Sequence, residues 1–153
     1  MGVVAIELLE ELSLFSDLTS EELALMVPLC QLVEGKPGVR LVREGEYVRN
    51  VYIIVSGDAL VKKTRPDGKQ VQIGSMGKDD LVGEITFYKV TPASATVEAT
   101  TKLTALALNQ KELHRFLDKW PHLGIKIYRR FAGIMSGRHK NLLDQFAKRV
   151  HVP

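Results

Sequence analysis

Short runs of Val, Ile and Leu, each closed by a turn signal, fill the middle of this chain between Gln31 and Asn109. Clusters of Gly, Pro, Asp and Ser at residues 35–38, 56–58 and 66–69 provide several of these signals. Asp67-Gly68 between two apolar runs is a strong β-hairpin signal, because both residues tolerate positive φ angles. Many short strands at close spacing predict a small antiparallel barrel or sandwich.

Helical patterns lie on both sides of this β region. Thr19 and Glu22 have the spacing of a capping box, and an apolar helix follows them. Asn109 is a predicted N-cap for a second helical region, which Pro121 interrupts. The 153 residues are suited to one domain. We therefore predict a single domain over residues 1–153, with a helical segment at 1–30, a β-roll at 31–109 and C-terminal helices at 110–150.

The charge is unevenly distributed along the chain. Residues 1–120 hold 14 Lys/Arg and 17 Asp/Glu, a balance of −3, whereas residues 121–153 hold seven Lys/Arg and only Asp144, a balance of +6. A basic tail can bind nucleic acid or a membrane surface. The alternative is a helix with a basic exposed face above an acidic body, and the apolar residues at helical spacing in this tail favour it.

The last segment predicts a long helix with a narrow apolar stripe. Gly133 and Gly137 lie in its interior and permit close approach by another element. A stripe of this kind with no core left to cover predicts a partner helix. We expect a homodimer through residues 123–146, with Phe131, Ile134, Met135 and Leu142 near the interface.

Residues 83–88 have the pattern of an anion-binding turn followed by a short helix. Gly83 lets the backbone approach a ligand closely, and the free amides of the next residues would point outward. Gly83, Glu84, Ile85 and Thr86 fit this role, and Ser94 is a further donor. For Glu84 alone, the alternative of an acid that stabilises the first turn of a helix remains open.

Five segments together resemble the cyclic nucleotide-binding domain, the sensory module of catabolite-activator-type regulators, cyclic-nucleotide-dependent kinases and gated channels. They lie at residues 14–18, 42–46, 51–59, 77–84 and 95–99, and their order and spacing carry the resemblance. The resemblance implies an α+β, mainly β fold, an antiparallel jelly-roll-type β-roll (double-stranded β-helix) with flanking N-terminal and C-terminal helices. It also implies pairing through the long final helix.

The resemblance implies a ligand site at Gly83, Glu84, Ile85, Thr86, Ser94 and Ala95, with Glu84 accepting a hydrogen bond from the ribose 2′-hydroxyl. The chain departs from the family at one point, because Ala93 stands where an arginine would pair with the phosphate. Loss of one partner of a buried charge pair costs roughly 2–5 kcal/mol. Lys89 on the same loop is a candidate replacement cation.

The favoured function is therefore a non-enzymatic, ligand-sensing regulatory module that binds a small anion such as cAMP or cGMP. A dimeric interaction module that has lost nucleotide binding is the alternative, and a nucleic-acid-binding protein acting through the basic tail is a third hypothesis. We expect no cofactor and no metal site, because His114, His122, His139 and His151 all lie in the helical tail.

The remaining expectations concern the surroundings of the protein. No apolar run reaches the roughly 18 residues of a membrane span, so we expect a cytoplasmic protein without a membrane partner. Cys30 is the only cysteine and is predicted to be a small core residue. The residues after the final helix leave no room for a DNA-binding domain in this chain.

Overall fold

The computed structural model describes residues 4–150, in which short N-terminal helices and longer C-terminal helices flank a β region. The helices are α1 Ile6–Glu10, α2 Ser20–Met26, α3 Glu84–Tyr88, α4 Gln110–Lys119 and α5 Pro121–Arg149. The strands are β1 Cys30–Gly35, β2 Arg40–Val42, β3 Tyr47–Val48, β4 Asn50–Ser56, β5 Ala59–Thr64, β6 Gln70–Met76, β7 Leu81–Val82, β8 Thr91–Pro92, β9 Thr96–Ala99 and β10 Leu103–Asn109. Two 3-10 turns, Ser13–Phe15 and Val27–Leu29, complete the N-terminal part.

The strands form two four-stranded antiparallel sheets and one short pair. The first sheet has the order β1-β10-β4-β7 and the second has the order β2-β9-β5-β6, while β3 pairs with β8. This arrangement confirms the predicted α+β, mainly β fold, an antiparallel β-roll with flanking helices. The β region begins at Cys30, one residue earlier than predicted.

Local sequence signals account for the element boundaries. In the β5–β6 hairpin, Gly68 has a φ angle of 84° and its N–H donates to the carbonyl of Arg65. The Thr19 hydroxyl accepts from the N–H of Glu22, whose carboxylate accepts from the N–H of Thr19, so the capping box is confirmed. Asn109 caps α4, because its side-chain oxygen accepts from the N–H of Glu112 at 3.1 Å.

The first sheet separates two hydrophobic clusters, because successive side chains of a strand point to opposite faces. Val51 and Ile53 of β4 pack against the helices, and Ile54 packs against the second sheet. Leu106 and Ala105 of β10 divide between the clusters in the same way. The helices therefore pack against one face of the first sheet, and side chains on its other face fill the interior of the roll.

Helix α5 has a core to cover within its own chain, contrary to the premise of the dimer prediction. Leu123 and Ile127 are fully buried, and the ring of Phe131 stacks on the ring of Phe87 with centroids 4.3 Å apart. Ile134 and Met135 also pack against this cluster. The apolar side chains that stay exposed on α5 lie mostly nearer its C-terminus, at Leu142, Leu143 and Phe146. Dimerisation itself remains a prediction.

Ion pairs join the basic α5 to the acidic N-terminal region. The guanidinium of Arg130 donates twice to the carboxylate of Asp17, at 2.9 and 2.8 Å. The ammonium of Lys126 donates to Glu22 at 2.7 Å. These hydrogen bonds lower the pKa values of both carboxyls from their usual range. Across residues 4–150, no helix combines the length and hydrophobicity needed to cross a bilayer.

We predict that the free energy of unfolding decreases as the pH falls below the ordinary pKa values of Asp17 and Glu22, 3.8 and 4.5. A carboxyl with a lowered folded-state pKa stabilises the protein above its unfolded-state pKa and loses that effect as the pH falls through the folded value. Asp17→Asn and Glu22→Gln should each reduce the pH dependence in urea unfolding between pH 7 and pH 3. The control is Asp144→Asn on α5, and an unaltered slope in both test variants would contradict the prediction.

Candidate functional site

A cavity of about 190 Å³ lies between α3, the β3–β8 pair and the second sheet, and we call it the α3 cavity. Its wall is mostly apolar. All six predicted site residues line it, and so does Ala93, so the structure brings the predicted set together. The lining consists of Val42, Val48, Val61, Ile73, Met76, Val82, Gly83, Glu84, Ile85, Thr86, Thr91, Pro92, Ala93, Ser94, Ala95 and Val97.

Gly83 is required by both conformation and space. It has φ 79° and ψ 38°, in the left-handed region that favours glycine. A Cβ atom at this position would lie 3.1 Å from the carbonyl oxygen of Asn50 and 3.3 Å from a methyl of Val48. The chain can therefore turn directly from β7 into α3 beside the wall of the cavity.

The first turn of α3 forms part of the cavity wall, with Gly83, Glu84, Ile85 and Thr86. The N–H of Thr86 donates to the carbonyl of Gly83 at 2.9 Å. The N–H groups of Glu84 and Ile85 come too early in α3 to find a carbonyl partner within the helix. The Ile85 side chain is half exposed at the cavity, and Glu84 is the charged side chain of the lining. The wall thus combines the first turn of α3 with one carboxylate.

The hydroxyls of the predicted site differ in their availability. Thr86 is buried, and its hydroxyl donates to the carbonyl of Val48 at 3.3 Å, so its hydrogen ties α3 to β3. The Ser94 side chain is exposed, while its carbonyl accepts from the ammonium of Lys63. The Ser94 hydroxyl is therefore more available than the Thr86 hydroxyl to donate to an anion. Ala95 lines the cavity with a methyl group and has no side-chain donor.

Ala93 is fixed by its backbone. Its N–H donates to the carbonyl of Glu46 at 2.8 Å, and its own carbonyl accepts from the N–H of Gly45 at 2.9 Å. The residue contributes a methyl group to the cavity and no free amide. Lys89, the candidate replacement cation, is exposed at the end of α3 and does not line the cavity.

Two cations that sequence reasoning missed lie at the edge of the site. Lys63 of β5 contacts the Ser94 carbonyl, as described above. Arg138 of α5 donates to the carbonyl of Leu81 at 2.6 Å, and its guanidinium lies 3.7 Å from the Glu84 carboxylate. Both contacts join residues far apart in the chain, so no local spacing pattern could have found them.

A wider cleft of about 810 Å³ runs between the β5–β6 hairpin and the C-terminal half of α5, and we call it the α5 cleft. Glu84, Val61, Ile73 and Met76 line both the α5 cleft and the α3 cavity, whereas Arg138 lines only the cleft. Glu84 therefore lines both spaces, and its carboxylate is paired with Arg138 of α5.

Other chemistries find little support in the described residues. Burial raises the pKa of the Cys30 thiol to about 12, which leaves almost no thiolate at neutral pH. Within residues 4–150, no group of three or more His, Cys, Asp or Glu side chains is arranged to hold a metal ion. His114 contacts the carbonyl of Phe87, and His122 and His139 lie on α5, while His151 is outside the described residues.

Comparison with known proteins agrees with this architecture. A family profile described as "Cyclic nucleotide-binding domain" matches residues 32–119, more than half of the chain. A CRP-like cAMP-activated global transcriptional regulator of Mycobacterium tuberculosis is 24% identical over 138 residues, which cover 90% of this chain and 62% of that protein. A cAMP-dependent protein kinase regulatory subunit of Mycosarcoma maydis is 30% identical over 114 residues, 71% of this chain and 22% of that protein.

A solved structure supports the fold independently of close sequence similarity. A cyclic nucleotide-binding domain from Methylobacillus flagellatus superposes with a TM-score of 0.84 at 22% identity, covering 97% of this chain and 83% of that one. The α-helices and the β-roll thus have the fold of that domain. The chain belongs to the cyclic nucleotide-binding domain family.

We predict that Gly83→Ala destabilises the protein by at least about 1 kcal/mol more than Gly68→Ala, measured by urea unfolding. Both glycines have positive φ angles, 79° and 84°, so backbone strain and unfolded-state entropy are matched. At Gly83, backbone and side-chain atoms lie close to the position of the added Cβ, whereas at Gly68 no atom lies within 4 Å of that position. Equal losses of stability would show that the close packing around Gly83 contributes nothing.

Proposed function

We propose that this chain is a non-enzymatic regulatory module that binds a cyclic nucleotide, cAMP or cGMP, weakly in the α3 cavity. The observation that carries the proposal is the turn at Gly83, which places the first turn of α3, with Glu84, in the wall of the cavity. The family relationship gives this arrangement a ligand class, and the regulatory relatives suggest its use.

The geometry supports a division of roles around the ligand. The amides of Glu84 and Ile85 would donate to the singly charged cyclic phosphate, with the Ser94 hydroxyl as a side-chain donor. The Glu84 carboxylate would accept from the ribose 2′-hydroxyl. The apolar side chains of Val61 and Ile73 would contact the base, because they line the outer part of both spaces.

The charge of the lining explains why binding should be weak. Among the described residues that line the α3 cavity, Glu84 is the charged one, and its charge has the same sign as the ligand. Ala93 offers no donor to the phosphate. Absence of a charge-pair partner costs roughly 2–5 kcal/mol, which corresponds to about 30-fold to several thousand-fold in affinity.

We predict that Ala93→Arg tightens binding of cyclic AMP or cyclic GMP by at least about 1 kcal/mol, measured by calorimetric titration. The added guanidinium would restore a cation at the cavity wall. Glu84→Ala in the Ala93→Arg background should weaken binding again through loss of the ribose contact. Ala24→Arg, an identical change at an exposed position of α2, is the matched control and should leave the affinity unchanged.

Three results would count against this proposal. Sub-micromolar binding by the natural chain would show that another donor replaces the arginine. A folded Ala93→Arg variant that binds neither nucleotide would show that the cavity is not a nucleotide site. Glu84 of the cavity is paired with Arg138 of α5, so a bound nucleotide should alter amide hydrogen exchange in α5. Unaltered exchange in residues 121–149 at saturating nucleotide would contradict a regulatory role.

The alternative, a dimeric interaction module, is favoured by a separate observation. Leu142, Leu143 and Phe146 are 63%, 55% and 67% exposed near the end of α5. Gly133 and Gly137 have no atom within 4 Å of an added Cβ. At 3.6 residues per turn they lie on the opposite side of α5 from Leu142 and Phe146, so they belong to a different face of the helix. We propose that a second copy of the chain covers the surface of Leu142, Leu143 and Phe146.

We predict that light scattering gives about twice the chain mass of 17.1 kDa, and that Phe146→Glu returns the protein to the monomer. A charge at the centre of an apolar interface is desolvated without a partner, which opposes association. The matched control is Tyr47→Glu, because Tyr47 is also 67% exposed but lies on β3, on the β-roll. A concentration-independent monomer mass for the natural chain would contradict this dimer.

A further inference from the structure

A second, polar cleft lies on the outer side of the β2–β4 region, and we call it the arginine cleft. Its volume is about 130 Å³, and its lining includes the side chains of Arg40, Arg43 and Arg49. Val42 and Val48 line both this cleft and the α3 cavity. The two spaces are therefore separate neighbours that share these two residues of their lining.

The cations of this cleft are poorly neutralised by the protein. Within residues 4–150, neither Arg43 nor Arg49 forms an ion pair with a carboxylate. Arg40 lies 3.6 Å from Glu98, but Lys62 holds the same carboxylate more closely. Glu46 is the acid in the lining, so the cleft carries a formal charge of +3 − 1 = +2. This local excess contrasts with the balance of −3 over residues 1–120.

The backbone that carries the arginines is held in place. The carbonyl of Arg43 accepts from the N–H of Glu46 at 3.1 Å, and the carbonyl of Arg49 accepts from the N–H of Gln110 at 2.9 Å. Arg40 is paired with Glu98 in the register of β2 and β9. The fold therefore places three arginines around one cleft on backbone that is held in position, which lowers the ordering cost of binding an anion there.

We propose that the arginine cleft binds a phosphate monoester group, as a site separate from the α3 cavity and independent of its ligand. Guanidinium groups present paired N–H donors that match phosphate oxygens, and a phosphate monoester carries a charge of about −1.5 to −2 at pH 7, close to the charge of the cleft. Tyr52 adds a donor, because its hydroxyl oxygen accepts from the Asn50 amide at 3.4 Å and its hydrogen remains for a ligand. The ring of Tyr47, 67% exposed in the same lining, offers a flat surface to an aromatic group attached to the phosphate.

The test is a titration of the isotope-labelled protein with inorganic phosphate, followed by nuclear magnetic resonance at constant ionic strength. We expect saturable shifts in the amide signals of residues 40–52 and in the guanidinium signals of Arg43 and Arg49. Arg43→Gln and Arg49→Gln should each weaken phosphate binding by about tenfold or more, because each removes a charged donor pair. Arg115→Gln is the matched control, since Arg115 is an exposed arginine of α4 without an ion pair in the described part of the chain, and it should titrate like the natural protein.

Three outcomes would overturn the proposal. Shifts that increase linearly without saturation, or spread over all exposed arginines, would indicate only general attraction to a basic surface. Saturable shifts confined to residues 83–86 and 93–95 would place the phosphate in the α3 cavity. Unchanged affinity in both arginine variants would also exclude the cleft, and because both side chains are exposed, an unaltered melting temperature should confirm that the variants are folded.

Discussion

The contact between Phe87 and Phe131 joins α3, which lines the α3 cavity, to the C-terminal helix α5. Phe87 is fully buried on α3, its ring lies nearly parallel to that of Phe131 at 9°, and the ring of Tyr128 packs edge-on against it at 5.2 Å. Aromatic pairs of this kind stabilise a core beyond the area they bury. The neighbouring Thr86 bonds to β3, so the helix that forms the cavity is attached to α5 on one side and to the β-roll on the other.

The distribution of charge distinguishes the two candidate binding surfaces. The α3 cavity combines a mostly apolar wall with the carboxylate of Glu84, and the nearby cations Lys63 and Arg138 are engaged with the carbonyls of Ser94 and Leu81. The arginine cleft has the opposite character, because its positive charge exceeds the carboxylates that could neutralise it. A neutral or weakly anionic ligand suits the first surface and a dianion suits the second, although they share two residues of their lining.

Much of the fold could be predicted from the sequence, because its signals act over a few residues. The capping box at Thr19, the hairpin at Asp67-Gly68 and the cap at Asn109 each depend on neighbours within about four positions, and all three are present. The part of the cavity wall within residues 83–95 was also predicted, since these residues lie in one short segment, whereas the wall residues from β2, β3, β5, β6 and β7 were not. The backbone bonds of Ala93 to Gly45 and Glu46 and the approach of Arg138 to Glu84 depend on the packing of distant segments, which no local pattern encodes.

The single tryptophan lies at the joint between the two C-terminal helices. Trp120 lies between α4 and α5 with φ −124° and ψ 69°, outside the helical region, and Pro121 prevents the two helices from merging. Its indole packs against the helical core and lies 5.6 Å from the ammonium of Lys119 and 6.2 Å from the imidazole of His122. The protein thus carries an intrinsic fluorophore at the joint between α4 and α5, and any change in the angle of that joint would alter the surroundings of the indole, and with them its emission, without an attached dye.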